Sequence, residues 1–583
     1  MKLFRSVKKR IKIINKDNLS LHKVFSKTVE KFPNKVAIVF GEERWTFKMM
    51  NDYCNKIANY FNIEGFKKGD TIGFLYDNRP EYICVWVGLS RLGISTALIN
   101  TNLVQDSLVH SLEVAKCKAL IFGSNFADTV SQIMDQSPSL RLYQFENAEN
   151  NISILSHAIN LTEKIRDTLA EPIKIQIDGN CEDPFLFIYT SGTTGMPKAA
   201  IFTQMRYLTL HALLRFVFDK DDIIYNPMPL YHGLGTIGVA MTLCSGTTAV
   251  LTTKFSASRY WQDCAQHNCT VAFYIGEMCR YILNAPIFEV PEHKVKTIIG
   301  NGLKSDVWLK YVKKFKVNEV LEFYSATEGV IVFVNLDNKI GAAGFIPTYL
   351  RSTHSTQLVK YDEENEEPIR DSNGLCIRCD VGEPGLALGK IDENHIISTF
   401  VGYTDKAQSQ KKIVRNVMEV GDAYFNSGDV LECDELGYIY FRDRTGDTFR
   451  WKGENVSTFE VESVISKLTD NHTVVVFGVE IPGTEGKAGM AVIVDSERKL
   501  NLNTLSVEIL ANLPKYSVPM FIRITNNLSL TDTYKLIKMH LKADGYNLDK
   551  VSDPIYFFDA NLMKYVVLTK ELYEGIRHRK FRL

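Results

Sequence analysis

The chain has 583 residues, 45% of them hydrophobic and 23% charged, and its 68 basic and 68 acidic side chains leave a net charge of +0. A single hydrophobic core does not organise that length, so three or four folding units of roughly 150 residues are expected. The balanced charge excludes nucleic acid as a partner drawn by bulk electrostatics.

From Met1 to Lys16 there are seven basic residues and no acidic one. Leu3, Phe4, Val7, Ile11 and Ile14 fall on one helical face, and Arg5, Lys8, Lys9, Arg10 and Lys12 fall largely on the others. This is the pattern of a helix lying in an anionic membrane surface. A disordered basic tail fits the same residues, and both readings stand. A secretory signal does not fit, because no apolar region follows the charges.

Short β-rich runs then alternate with helical periodicity. Thr71–Tyr76 predicts a strand and Glu81–Leu92 a helix; Ser107–Cys117 predicts a helix and Ala119–Phe122 a strand. Phe185–Tyr189 is a strand that feeds a glycine-rich turn. The long uncharged stretch between Asp222 and Lys254 is broken by Pro227, Pro229 and His232, which favours buried strand, loop and helix over a membrane span. Thr248–Thr252, Ser256–Gln266 and Thr270–Tyr274 repeat strand, helix, strand. Thr297–Gly300 and Val320–Tyr324 flank a helix near Asp306–Phe315. Such alternation predicts parallel sheets covered by helices. After Leu350, turn-rich sequence such as Tyr361–Gly374 separates short strands, as in a mostly β subdomain. Thr445-Gly446-Asp447 reads as a flexible joint. Beyond it, strands at Val474–Val479 and Ala491–Val494 and helices at Phe459–Lys467 and Leu502–Asn512 predict a small α+β domain.

Eleven cysteines are scattered without disulfide-like spacing, which fits a reducing compartment. The lone Cys376-Ile377-Arg378-Cys379 lacks a second Cys or His pair, so metal or redox work is the less favoured reading.

The chemistry begins at Thr190-Ser191-Gly192-Thr193-Thr194-Gly195-Met196-Pro197-Lys198. Glycines let backbone N–H groups approach phosphate oxygens, and the hydroxyls and the lysine add donors and charge. A Walker A loop needs Gly-Lys followed by Ser or Thr, whereas here Pro197 precedes Lys198 and Ala199 follows it.

From Phe187 to Ala200 this stretch resembles the signature of adenylate-forming enzymes, in the version of the fatty acid transport proteins, also called very-long-chain acyl-CoA synthetases. Tyr440-Phe441-Arg442-Asp443-Arg444 through Ser457-Thr458 is nearly that family's second signature. Lys254–Arg259 and Ala97–Leu103 add weaker matches, and the resemblance runs from about Leu21 to Leu583. It implies an α/β fold: a large N-terminal domain (21–444) of two doubly wound α/β subdomains plus a distorted β-barrel subdomain, after a basic amphipathic segment (1–20). A small, mobile C-terminal α+β domain (445–583) follows, with its hinge near Gly446.

The resemblance also implies roles. Thr190, Ser191, Gly192, Thr193, Thr194, Gly195 and Lys198 would hold the β- and γ-phosphates of ATP. Gly300, Asn301 and Gly302 would line the adenine, with Tyr324 packed on it and Thr327 near the α-phosphate. Glu328 would bind Mg²⁺, which takes a hard carboxylate. Asp429 would accept the ribose hydroxyls, and Arg444 would add a donor. Lys535 would bridge the substrate carboxylate and the α-phosphate; Lys538 is the competing lysine. His232 would orient the carboxylate or gate the acyl pocket, a buried structural role being nearly as good a fit. Tyr274-Ile275-Gly276-Glu277 would lie along the acyl wall, and the loop Arg450–Gly453 would admit the CoA thiol. Ser325 and Asp532 stand where the family usually has glycine.

The implied activity is ligation of a long-chain or very-long-chain fatty acid to CoA through an acyl-adenylate, with uptake driven by trapping. The alternative is a membrane-associated fatty acid transport or binding protein with little catalysis. A peptide-synthetase adenylation domain is a poorer fit, since no carrier-protein segment follows. The expected setting is intracellular and peripheral to a membrane surface, the endoplasmic reticulum first, then plasma membrane or peroxisome. A homodimer is compatible, and no nucleic acid is expected.

Overall fold

A computed structural model describes residues 2–146, 153–173, 180–190, 197–286, 289–326, 330–362, 367–392, 400, 402–445, 449–451, 454–482, 484, 486–528 and 538–578. Two large sheets and the helices between them share the main core. The first has seven strands in the order Ala158–Asn160, Arg141–Phe145, Cys117–Gly123, Thr71–Leu75, Ser95–Leu98, Pro184–Thr190, Lys198–Thr203, parallel except for the last pair. The second has eight strands, with Val332–Asn335, Glu319–Ser325, Thr297–Asn301, Val271–Ile275, Ile223–Asn226, Thr248–Leu251, Val36–Phe40 and Glu43–Thr46 in order. Its interior pairs are parallel and its two outer pairs antiparallel. A six-stranded antiparallel sheet adjoins them, running from Gly344–Phe345 through Tyr438–Arg444, Ala423–Cys433 and Gly385–Lys390 to Thr356–Val359, with Ile413–Arg415 on the side. The chain adopts the predicted α/β class, and the subdomain expected as a distorted β-barrel is an open, half-barrel-like sheet.

Residues after Arg444 build a second core on a five-stranded sheet, Val474–Glu480, Lys487–Val494, Phe521–Thr525, Ile555–Asp559 and Lys564–Val567. Helices Thr458–Leu468 and Leu502–Asn512 cover it, close to their predicted bounds.

The uncharged stretch after Asp222 resolves into strand Ile223–Asn226, helix Gly233–Ser245 and strand Thr248–Leu251. The helix is buried around most of its circumference between layers, which is why it carries no polar face. Among the described residues, no helix is long and apolar enough to cross a membrane. The helix expected at Ser256–Gln266 starts only at Tyr260, because Phe255 and Ala257 pack on the core from a turn.

The N-terminal residues do form a helix, Lys2–Lys16, and not a disordered tail. Its apolar face is turned inward: Val7, Ile11 and Ile14 are buried, and the helix packs on helix Gln204–Leu214. Each such side chain contributes about 1.5–3 kcal/mol when removed from water. Of the face assigned to a bilayer, Val7, Ile11 and Ile14 are therefore covered by protein, while the Leu3 and Phe4 side chains lie outside those described; on the basic side Lys9, Lys12 and Lys16 are exposed. Periodicity shows that an apolar face needs a cover; it does not say which.

Candidate functional site

The carboxyl ends of the strands Ser95–Leu98, Pro184–Thr190, Val271–Ile275, Thr297–Asn301 and Glu319–Ser325 open onto one cavity of about 2100 Å³. Ligands bind at that end of open α/β sheets. Such cavities commonly measure about 300–1,000 Å³, so this one has room for more than one substrate. The antiparallel sheet closes one side through Asn426–Val430 and Tyr440–Thr445, and helix Thr458–Leu468 closes another.

Lys198, His232, Asn301, Gly302, Tyr324, Asp429 and Arg444, seven of the residues singled out in the sequence, lie together on its wall. The centre of the group is Asp429, only 8% exposed. The Tyr324 hydroxyl donates to its Oδ2 at 2.5 Å, and Arg444 Nε lies 3.1 Å from its Oδ1. Strand pairing sets this up, because Asp429 and Arg444 are register partners. Burial, and then the neighbouring Asp429 charge, push the Tyr324 phenol well above its usual range, so it remains a donor.

Asn301, Gly302 and Leu303 line the cavity, but Gly300 does not; its role is in the strand beneath. A Cβ at Gly300 would sit 2.0 Å from the Tyr274 carbonyl, and one at Gly276 would sit 1.8 Å from the Gly302 carbonyl. Only glycine permits these strand ends to approach so closely.

The glycine-rich loop, Ser191 to Met196, lies outside the described residues, but the residues on both sides of it are described. Thr190 ends one strand and pairs antiparallel with Lys198, which begins the next. The strands that flank the loop are therefore antiparallel neighbours, whereas a Walker A loop is followed by a helix. His110 Nε2 lies 3.1 Å from the Pro197 carbonyl, and Lys198 Nζ lies 5.7 Å above the Tyr403 ring. His232 precedes helix Gly233–Ser245, with its ring 4.6 Å from that of Tyr231. Ser325 lies on the wall, its hydroxyl 3.2 Å from the Ala326 carbonyl.

Thr327, Glu328 and Lys535 fall outside the described residues, as do Gly446 and the Arg450 side chain. Among the described residues no group of three or more His, Cys, Asp or Glu could hold a metal. Lys538, the competing lysine, is occupied elsewhere: it meets Glu462 at 3.0 Å and the Thr458 hydroxyl at 3.2 Å. Cys376 and Cys379 sit in two different apolar clusters, and burial pushes the Cys379 thiol up to about 12, so this C-x-x-C is packing.

Glu322 was not singled out from sequence. It lines the cavity two residues before Tyr324, on the same strand face. Leu303 N donates to its Oε1 at 3.1 Å, and Tyr274 bonds its other oxygen. Strand alternation from Tyr324 would have pointed to it. Burial raises its pKa from 4.5 to about 8. The folded protein thus keeps a proton that the unfolded chain releases, and stability from this group is full below about 4.5 and is lost as pH rises through about 8. Glu322→Gln is expected to flatten the fall of the thermal midpoint across that window. Parallel pH curves for the two proteins would refute this. Arg206 was also missed; it lines the cavity and donates to the Ala326 carbonyl at 3.1 Å.

The sequence model of the AMP-binding enzymes matches residues 25–382. Long-chain fatty acid transport protein 1 of Mus musculus is 39% identical over 559 residues, covering 95% of this chain and 86% of that protein. The human protein of the same name is 38% identical over 570 residues, covering 97% and 88%. Among solved structures, an anthranilate CoA ligase in complex with anthranoyl-AMP superposes with a TM-score of 0.75 at 18% identity, covering 90% of this chain and 97% of that one. A Mycobacterium tuberculosis fatty acyl CoA synthetase gives 0.62 at 21% identity, covering 91% and 99%.

Proposed function

Because the chain belongs to the AMP-binding enzymes, and among them to the long-chain fatty acid transport proteins, we propose that it is an ATP-dependent ligase joining long-chain and very-long-chain fatty acids to CoA. ATP and the fatty acid give an acyl-adenylate and pyrophosphate. The CoA thiol then attacks the acyl carbon, the thioester forms, and AMP leaves. The observation that carries this is the Tyr324–Asp429–Arg444 group on the wall of a cavity that also has an apolar side.

In this scheme Asp429 accepts the ribose hydroxyls and Arg444 adds a donor. Tyr324 packs on the adenine beside Asn301 and Gly302. The phosphates lie against the loop Thr190–Gly195 and Lys198. Mg²⁺ at Glu328, near Thr327, would offset phosphate charge. Lys535 brings the substrate carboxylate to the α-phosphate, and His232 orients it. The acyl chain runs along helices Gln204–Leu214 and Gly233–Ser245, where Leu210, Leu234 and Ile237 face the cavity. Residues 445–583 act as a small domain that pivots near Gly446 between the two half-reactions, bringing the loop Arg450–Gly453 to the thiol. Glycine relaxes φ at such a pivot. The protein works at an intracellular membrane surface, the endoplasmic reticulum first, held by the exposed lysines of its first helix, and draws fatty acid inward by trapping it.

Purified protein given ATP, Mg²⁺, CoA and a long-chain fatty acid should release AMP and pyrophosphate. No AMP at any chain length would sink the ligase. Narrowing the acyl wall tests the substrate class. Ile237→Trp should cost long chains about tenfold or more in kcat/KM, in line with overpacking of ~1–3 kcal/mol. Short chains should be largely spared. An equal loss at all lengths would place Ile237 away from the chain.

A further inference from the structure

Helix Thr458–Leu468, which walls the cavity, belongs to the C-terminal unit, so something must fix that unit against the large sheets. One buried contact of this kind is made by Arg280, only 7% exposed. It sits on helix Gly276–Asn284, which starts where strand Val271–Ile275 ends at the cavity. Its Nη1 donates to the Asn471 carbonyl at 2.9 Å and its Nη2 to the Thr473 hydroxyl at 2.5 Å. Asn284 Nδ2 reaches the same carbonyl at 3.2 Å, and Lys310 Nζ meets the Asn471 side chain at 3.1 Å. Elsewhere on the boundary the Ser457 hydroxyl donates to Asp443 at 2.9 Å, and Lys304 Nζ lies 4.8 Å above the Phe459 ring.

Arg280 differs from those other contacts in its counter-ion. Its Nε lies 3.2 and 3.1 Å from the two oxygens of Glu277, three residues back on the same helix. If the C-terminal unit leaves, Asn471 and Thr473 go with it and Glu277 stays. The guanidinium then exchanges two neutral acceptors for water and is never left as an unpaired charge, the arrangement that makes a buried ion costly to open. The contact is thus built to be strong when closed and cheap to release.

We propose that Arg280, oriented by Glu277, is a positioning residue that holds the C-terminal unit over the cavity, and that its release from Asn471 and Thr473 accompanies the change between adenylation and thioester formation. This rests on the two-step reaction proposed above. The test uses the full-length protein, with pyrophosphate exchange and thioester formation from supplied acyl-adenylate measured separately. Arg280→Met should slow the half-reaction served by the closed arrangement by about tenfold or more and change the other less than about threefold. Spin labels at the exposed positions Leu309 and Val507 should show a broader distance distribution in that variant. Arg280→Lys should recover part of both effects, and Thr473→Val, which removes one acceptor from the other side, should give the same split in weaker form. Equal loss in both half-reactions with an unchanged distance distribution, in Arg280→Met and in Thr473→Val alike, overturns the proposal. Wild-type protein that forms no AMP overturns the ligase instead, so the two failures are distinguishable.

Discussion

Asp429→Ala is expected to lower kcat/KM for ATP by at least about 100-fold. Hydrogen bonds to a charged group are worth about 1.5–3 kcal/mol each, and two ribose hydroxyls would lose theirs together. At about 1.4 kcal/mol per factor of ten, that is a factor of about 100 or more. A second loss adds to it. Tyr324 and Arg444 both point at this carboxylate, at 2.5 and 3.1 Å, and alanine leaves them without that acceptor on the cavity wall. Asp429→Asn keeps an acceptor but loses the charge, so it should fall between wild type and alanine. Comparing ATP with 2′-deoxy-ATP isolates the ribose contribution: the wild type should discriminate, and the alanine variant should discriminate much less. A fall of under tenfold, or undiminished discrimination, would put the ribose elsewhere.

Lys535→Ala should slow adenylation by about 10²–10³, the usual cost of losing one preorganised transition-state donor. Two anions, a carboxylate and a phosphate, must meet in this step. Unit charges ~4 Å apart interact by about 4 kcal/mol at an effective dielectric of ~20, so a cation between them is needed. Thioester formation from supplied acyl-adenylate involves no such encounter and should be largely spared. Lys538→Ala is the control. That lysine is bound to Glu462 and Thr458 on a neighbouring helix, so its removal should act on stability more than on adenylation. Equal damage to both half-reactions by Lys535→Ala would rule out this role for Lys535.

Sequence reading was strongest where function is written in contiguous residues. Tyr324, Asp429 and Arg444 each lie in a compact local pattern, and the fold brings those patterns to one wall. It was weaker where the partner is far along the chain. Arg280 looks like any helical cation until Asn471, 191 residues away, lies against it. Glu322 looks like a solvated carboxylate until strand alternation puts it beside Tyr324 in a cavity. Gly300 is read from the sequence as lining the adenine, whereas in the fold its missing side chain makes room for the Tyr274 carbonyl and it is not among the residues lining the cavity. For the first helix, amphipathicity was plain, but the identity of its cover is a tertiary fact.

That cover also has a consequence in time. The helix Lys2–Lys16 packs on Gln204–Leu214, about 190 residues later in the chain. At 5–20 residues per second of synthesis, roughly 10–40 s pass before its partner emerges from the ribosome. Throughout that interval Val7, Ile11 and Ile14 lack the helix Gln204–Leu214 that packs on them in the folded chain, while Lys9, Lys12 and Lys16 line the other side. The segment Lys2–Lys16 is thus made well before its cover, and Val7, Ile11 and Ile14 pass into the interior only once Gln204–Leu214 has been synthesised.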